Sequence, residues 1–176
     1  MGTVLLRDGI EADVAAATAI YRQHVLHGSA SFETEPPDEA EMARRRADVL
    51  SRGWPWLVAE REGRCLGYAY AGPFRLRPAY RFTVEDSIYL AGDAAGQGIG
   101  RMLLLELIAR CERAGARQML AVIGDSANQA SVGVHRAAGF QPAGILRQVG
   151  WKFDQWRDVV LMQRPLGPGA DRPAIA

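Results

Sequence analysis

The sequence predicts an α/β fold: one mixed sheet flanked by helices, in the order β-α-α-β-β-β-α-β-α-β-β. Three observations carry that expectation. Short apolar runs of strand character alternate with longer stretches of helical spacing. A glycine-rich turn joins one such strand to a strongly amphipathic helix. The turn Glu62-Gly63-Arg64 separates two apolar runs and reads as a hairpin. The chain of 176 residues fits one domain, expected over residues 1–166, with 167–176 as a disordered tail rich in Pro and Gly.

The elements follow in order. Residues 3–7 read as a strand. Residues 8–13 supply turn and cap chemistry for a helix to about Leu26, where Val14, Ala17, Ile20, Tyr21 and Val25 fall near helical spacing. Residues 28–37 form a loop whose one large apolar residue is Phe32. Asp38 starts a second helix to about Ser51, with Glu39 and Glu41 complementing its dipole. Strands are expected at 56–61 and 65–71, broken by Gly72-Pro73, and again at 83–90. The helix after the glycine turn runs to about Ala114 and carries Leu103, Leu104, Leu107, Ile108 and Cys111 on one stripe. A buried-type strand at 118–123, a short helix stopped by Gly139, and strands at 143–151 and 156–163 complete the order.

Bulk properties exclude several functions. Net charge is +1, from 21 basic and 20 acidic side chains, so nothing global pulls the chain toward nucleic acid or an anionic membrane. No apolar run is long enough to span a bilayer, and the first residues carry no cleavable leader pattern, which gives a cytoplasmic address. Cys65 and Cys111 are not paired in a Cys-x-x-Cys motif and histidines are sparse. Two reduced core thiols and no metal site are expected.

The turn with Gly96, Gly98 and Gly100 is a candidate anion cradle, because glycines let backbone amides approach a phosphate and the helix N-terminus adds unpaired N–H groups. A Walker A loop would end in Gly-Lys-Ser/Thr, whereas Gly100 is followed by Arg101-Met102. A Rossmann turn would open a repeated βαβ unit early in the chain, whereas helices and strands already precede this one. A coenzyme A pyrophosphate is the third possibility.

The run Gln97-Gly98-Ile99-Gly100-Arg101-Met102-Leu103-Leu104 resembles the acetyl-CoA turn and helix of the GNAT acetyltransferases. Asn128-Gln129-Ala130-Ser131 and Ala137-Ala138-Gly139-Phe140 follow in the order that superfamily expects. Ala95 stands where those enzymes usually have Arg or Gln, and weaker coenzyme binding is the expected result. Ser31-Phe32-Glu33-Thr34-Glu35-Pro36, Pro55-Trp56-Leu57-Val58-Ala59-Glu60, Tyr68-Ala69-Tyr70-Ala71-Gly72-Pro73 and Gly150-Trp151-Lys152-Phe153 narrow the resemblance to the phosphinothricin and methionine sulfoximine acetyltransferase branch. The likeness covers about residues 4 to 166.

That resemblance implies a mostly antiparallel GNAT-type sheet, acetyl-CoA as co-substrate, a small amine substrate with an anionic group, and a homodimer. It implies coenzyme contacts at Ile88, Tyr89, Leu90, Gly96, Gln97, Gly98, Ile99, Gly100, Arg101 and Asn128, with an oxyanion donor among the backbone amides of 88–90. Substrate contacts are implied at Arg75, Leu76, Arg77, Glu85, Asp86 and Ser87. Residue chemistry points the same way. An amine with a pKa above about 8 is mostly protonated at pH 7, so transfer needs a base. Glu85 is the candidate, on a strand whose alternation groups it with Ser87 and Tyr89, opposite Asp86 and Ile88. His135 lies where related enzymes place a proton donor for the departing thiolate. Arg75, Arg77 and Arg81 offer guanidinium forks for a carboxylate or phosphinate. Phe32, Tyr80 and Trp156 are candidate apolar walls. Two other functions fit the turn: acetyl transfer to a protein N-terminus or polyamine, and a non-catalytic acyl-CoA-binding regulatory domain, which would dispense with Glu85.

Overall fold

A seven-stranded sheet runs β1-β2-β3-β4-β5-β7-β6 across the molecule, seen in a computed structural model that describes residues 2–174. The strands are β1 (Leu5–Asp8), β2 (Trp56–Arg61), β3 (Arg64–Pro73), β4 (Thr83–Leu90), β5 (Gln118–Gly124), β6 (Gln141–Lys152) and β7 (Gln155–Pro165). The helices are α1 (Val14–His27), α2 (Glu39–Ser51), α3 (Ile99–Arg113) and α4 (Gln129–Ala137). The element order is the one the sequence predicts. Only β4 and β5 are parallel, and the other neighbours are antiparallel. Met1 and the last two tail residues, 175 and 176, lie outside the described residues.

Helix starts follow their caps. Asp38 accepts a hydrogen bond from the Glu41 N–H at 2.8 Å, and Asn128 accepts one from the Ser131 N–H at 3.2 Å. Gly98 starts α3 at φ 79°, a left-handed conformation that favours glycine. The last two strands are longer than expected. β6 also carries two irregularities that local alternation does not reveal. At the second, Asp158 accepts from the Gln148 N–H at 3.0 Å and from Arg147 at 2.9 Å, satisfying groups that leave the ladder.

The sheet has a core on each face. On one, Leu103, Leu104 and Leu107 of α3 pack against Val84, Met119 and Phe140. Each such buried leucine stabilises the fold by about 1.5–3 kcal/mol. On the other, Val14, Ala17, Ile20, Tyr21 and Val25 of α1 pack with Met42, Trp56 and Tyr68. Trp56 stacks on Tyr68 and Tyr70 with ring centroids at 5.2 and 4.7 Å.

Past β7, Leu166 is buried and its N–H donates to the Arg117 carbonyl at 2.9 Å. Arg117 in turn donates to the carbonyls of Gly169 and Pro173 at 3.3 and 3.1 Å. At the far edge of the sheet, β6 exposes nearly its whole length, including Ile145, Leu146, Val149 and Trp151.

Candidate active site

A cleft opens where the one parallel pair fails. β4 and β5 pair only from Thr83, Val84 and Glu85 to Gln118, Met119 and Leu120. Beyond that point the strands part, and a cavity of about 390 Å³ lies between them. That volume falls in the range of roughly 300–1,000 Å³ of small-molecule sites. Its walls are residues 85–89 of β4, residues 121–124 of β5, residues 30–33 of the loop after α1, and Asn128, Ser131 and His135.

The split also leaves backbone groups free. The Ala91 N–H donates to the Leu66 carbonyl at 2.9 Å. Bonded and non-bonded residues alternate along an antiparallel pair, so Ser87 and Tyr89 exchange bonds with β3. Ile88 and Leu90 therefore turn their amides and carbonyls toward the split. The Leu90 carbonyl accepts from His24 Nε2 at 2.9 Å. The Ile88 amide remains as a donor in the parted region of β4, suited to hold a carbonyl oxygen that gains negative charge.

At the end of β4 the glycine turn packs close: a Cβ on Gly100 would stand 3.5 Å from Leu90 Cδ1. The first helix-bonded amide of α3 is Met102, which donates to the Gly98 carbonyl at 3.1 Å. The amides of Gly98, Ile99, Gly100 and Arg101 precede it and gather at the positive end of the helix dipole. Gly96 and Gly98 have φ of 75° and 79°, and a Cβ on either would meet nothing within 4 Å. Glycine is thus required there by conformation, and the space above the turn is open to a pyrophosphate. Gln97 braces the turn, donating to the Asp93 carbonyl at 2.7 Å and accepting from Arg61 at 3.1 Å. Ala95 is exposed beside it.

Glu85 is half-buried on the cleft wall. Burial, reinforced by the nearby Asp86 charge and only partly offset by Arg75, pushes its carboxyl pKa from 4.5 up to about 7. A carboxylate tuned to that value is a good base near neutral pH. The loop after α1 closes the cleft on this side. Tyr21 donates to Glu33 at 2.9 Å and shares a hydrogen bond with Ser31 Oγ at 2.8 Å. Arg45 donates to Glu33 at 2.7 Å. Buried Lys152 donates to the Ser31 carbonyl at 2.6 Å. The ring of Phe32 lies where a Cβ on Gly150 would stand, 2.2 Å from Cε2.

The structure brings Glu85, Asp86, Ser87, Ile88, Tyr89, Asn128 and His135 together around one cleft, with Leu90 and residues 96–101 adjoining it. It does not bring Arg75, Leu76 and Arg77 into the lining. They sit on an exposed loop after β3, with Leu76 77% exposed and the Arg75 guanidinium over the Phe74 ring. Arg75 is still near enough to Glu85 to bear on its pKa. Asp86, expected at the substrate, is turned by strand alternation to the α4 face, where Oδ2 lies within hydrogen-bond distance of His135 Nε2, at 2.9 Å. His135 is buried, and its Nδ1 lies 2.7 Å from the Ser131 carbonyl, so both ring nitrogens are engaged. Of the proposed walls, only Phe32 lines the cleft, while Tyr80 and Trp156 are exposed elsewhere. The clamp of Tyr21, Arg45 and Lys152 on residues 31–33 is the part that sequence reasoning missed. Its partners are scattered from Tyr21 to Lys152, too far apart in the chain for local spacing to reveal them.

The profile of the Acetyltransferase (GNAT) family matches residues 18–140, more than half of the chain. A phosphinothricin N-acetyltransferase of Alcaligenes faecalis is 60% identical over 157 residues, covering 89% of this chain and 80% of that protein. An L-methionine sulfoximine/L-methionine sulfone acetyltransferase of Pseudomonas aeruginosa is 40% identical over 172 residues, covering 96% and 98%. The crystal structure of a phosphinothricin acetyltransferase from Sinorhizobium meliloti in complex with acetyl-CoA superimposes with a TM-score of 0.95 at 49% identity, covering 98% of this chain and 94% of that one.

Proposed function

This chain belongs to the GNAT acetyltransferase family and is an N-acetyltransferase that uses acetyl-CoA; from that premise we propose that its substrate is a small amino-acid-like amine with an anionic group, of the phosphinothricin or methionine sulfoximine type. The observation that carries this reading is the half-buried carboxyl of Glu85, tuned to about 7, on the wall of a small cleft beside free backbone amides. The names of the relatives supply the substrate class.

The coenzyme supplies an acetyl group activated as a thioester. The amides of Gly98, Ile99, Gly100 and Arg101 hold its pyrophosphate, and the backbone groups of Ile88 and Leu90 align the chain between pyrophosphate and thioester. Glu85 takes a proton from the substrate ammonium, directly or through one water, so that the neutral amine attacks the thioester within a ternary complex. The Ile88 amide holds the carbonyl oxygen as its charge grows. Arg75 and Arg77, on the exposed loop after β3, select the anionic end of the amine. His135 borders the place where the thiolate departs.

The same reading makes the protein a cytoplasmic homodimer. Two free thiols suit a reducing compartment. The exposed Ile145, Leu146, Val149, Trp151 and Trp156 of β6 and β7 form an apolar edge suited to a second copy. Among the described residues, no helix is long and apolar enough to cross a membrane.

The test is selectivity. Thiol release from acetyl-CoA is compared among phosphinothricin, methionine sulfoximine, spermidine and a peptide with a free N-terminus. The reading expects kcat/KM for one of the first two to exceed that of the others by at least 100-fold. Preference for the polyamine or the peptide would overturn it.

A further inference from the structure

We propose that Asp86 is a positioning residue, which holds His135 as a doubly hydrogen-bonded imidazolium at the wall of the cleft. The two side chains are almost wholly buried, 2% exposed for Asp86 and 6% for His135. They come from β4 and α4, 49 positions apart in the chain, and meet at 2.9 Å between Oδ2 and Nε2.

The bonding pattern fixes the protons. A backbone carbonyl can only accept, so His135 Nδ1, 2.7 Å from the Ser131 carbonyl, carries a hydrogen. The other proton lies between Nε2 and Asp86. With that proton on the ring the bond joins an imidazolium to a carboxylate, a charge-assisted pair stronger than a bond between neutral partners. Transfer to the carboxyl would make both groups neutral but gains no new bond, since each oxygen and nitrogen keeps its partner. Burial by itself lowers the pKa of His135; the Asp86 hydrogen bond and charge, with the Ser131 carbonyl, outweigh it and raise the pKa.

The surroundings do not compete for that charge. On β4, Glu85 lies next to Asp86 but on the opposite face. From α3, the Cys111 thiol is pushed by burial to about 12 and stays neutral. After α4, the Phe140 ring stands edge-on to His135 with centroids 5.0 Å apart. Asp86 Oδ1 is itself buried without a hydrogen-bond partner. A lone buried carboxylate oxygen costs stability that a smaller neutral side chain would avoid, which is the mark of a group kept for its effect on a neighbour.

The proposal rests on the reading of His135 as the residue beside the departing thiolate. When the thioester C–S bond breaks, its electron pair goes to sulfur, and a cation nearby stabilises that anion. With both ring N–H groups already committed in the free enzyme, His135 acts there by its charge. Asp86 keeps that charge in place through neutral pH.

The test is the protonation state of His135 in the full-length free enzyme, read from ring nitrogen chemical shifts after histidine-specific 15N labelling. The chain has three histidines, so a His135→Asn sample assigns the signal. We expect both ring nitrogens protonated at pH 7, with a midpoint above about 6.5. Asp86→Asn should lower that midpoint by about one pH unit or more, a tenfold change in acidity. It should also lower kcat at pH 8 about tenfold or more while leaving KM for acetyl-CoA within about twofold, as loss of a charge aimed at one step requires. A neutral His135 at pH 7 in the unsubstituted enzyme overturns the proposal even if Asp86→Asn does not fold. So does an unmoved midpoint in Asp86→Asn, or a moved midpoint with unchanged kcat. None of the nitrogen measurements needs an amine substrate, so failure of the substrate assignment would leave them intact.

Discussion

Replacing Glu85 with Gln removes a charge that the folded chain holds at a cost. Its carboxyl titrates at about 7 when folded, against an ordinary 4.5. At 1.36 kcal/mol per pH unit, that difference makes the ionised form cost the fold about 3 kcal/mol. The sign follows from proton binding. Between pH 4.5 and 7 the folded chain binds more protons at this site than the unfolded chain, so its contribution to stability falls as the pH rises. The cost is absent below about pH 4.5 and complete above about pH 7. Glu85→Gln, neutral at every pH, should therefore match the parent near pH 4.5 and exceed it at pH 8 by up to about 3 kcal/mol. For a chain of this size that is roughly 6–12 °C in Tm. The same variant should lose about 10²–10⁴-fold in kcat at pH 7. That defect should shrink at higher pH, where solvent supplies more neutral amine. Thermal unfolding and acetyl transfer at pH 4.5, 6 and 8 on both proteins read the two effects together. No gain in Tm at pH 8 would refute the burial cost. A normal kcat at pH 7 would remove Glu85 from the mechanism.

Three further outcomes are expected. Gly98→Ala puts an L residue at φ 79°, where a Cβ has space but the backbone is strained, so stability should fall by about 1–2 kcal/mol and acetyl-CoA affinity should fall with it. Gly92→Ala, at an open position without positive φ, is the control and should change neither; isothermal titration and unfolding curves check both variants. Arg75→Ala or Arg77→Ala should raise KM for an anionic amino acid by the equivalent of about 1.5–3 kcal/mol; unchanged KM in both would return the pair to a solvated loop. Light scattering at micromolar protein should give twice the chain mass of 19.2 kDa, and a monomer mass would contradict the homodimer.

Much of this was legible in the sequence because the decisive constraints are local. Glycines at 96 and 98 announce a turn with positive φ before a helix, and that turn is an anion cradle by virtue of its own backbone. Alternation along residues 83–90 separates Glu85 from Asp86 without any tertiary information. What stayed hidden depends on packing across the chain. Asp86 reads as one more polar residue beside Glu85 until α4 lays His135 against it. The contact of Phe32 with Gly150, and of the loop carbonyl of Ser29 with Gly124, where a Cβ would come within 2.5 Å, exists only once β5 and β6 pass beneath that loop. The second irregularity of β6 likewise depends on Asp158 of the facing strand, and the ends of the last hairpin were misjudged by two residues at the outer limits. Arg75 and Arg77 were recognisable as anion ligands in type, but nothing in their spacing says that their loop stays out of the cleft lining.

The most direct test of the account is initial velocity with acetyl-CoA and L-methionine sulfoximine both varied, followed by mass spectrometry of the product. Direct transfer in a ternary complex predicts double-reciprocal lines that intersect, and a product acetylated on its amine. Parallel lines, as a covalent acetyl-enzyme would give, or no thiol release with either methionine sulfoximine or phosphinothricin, would contradict it.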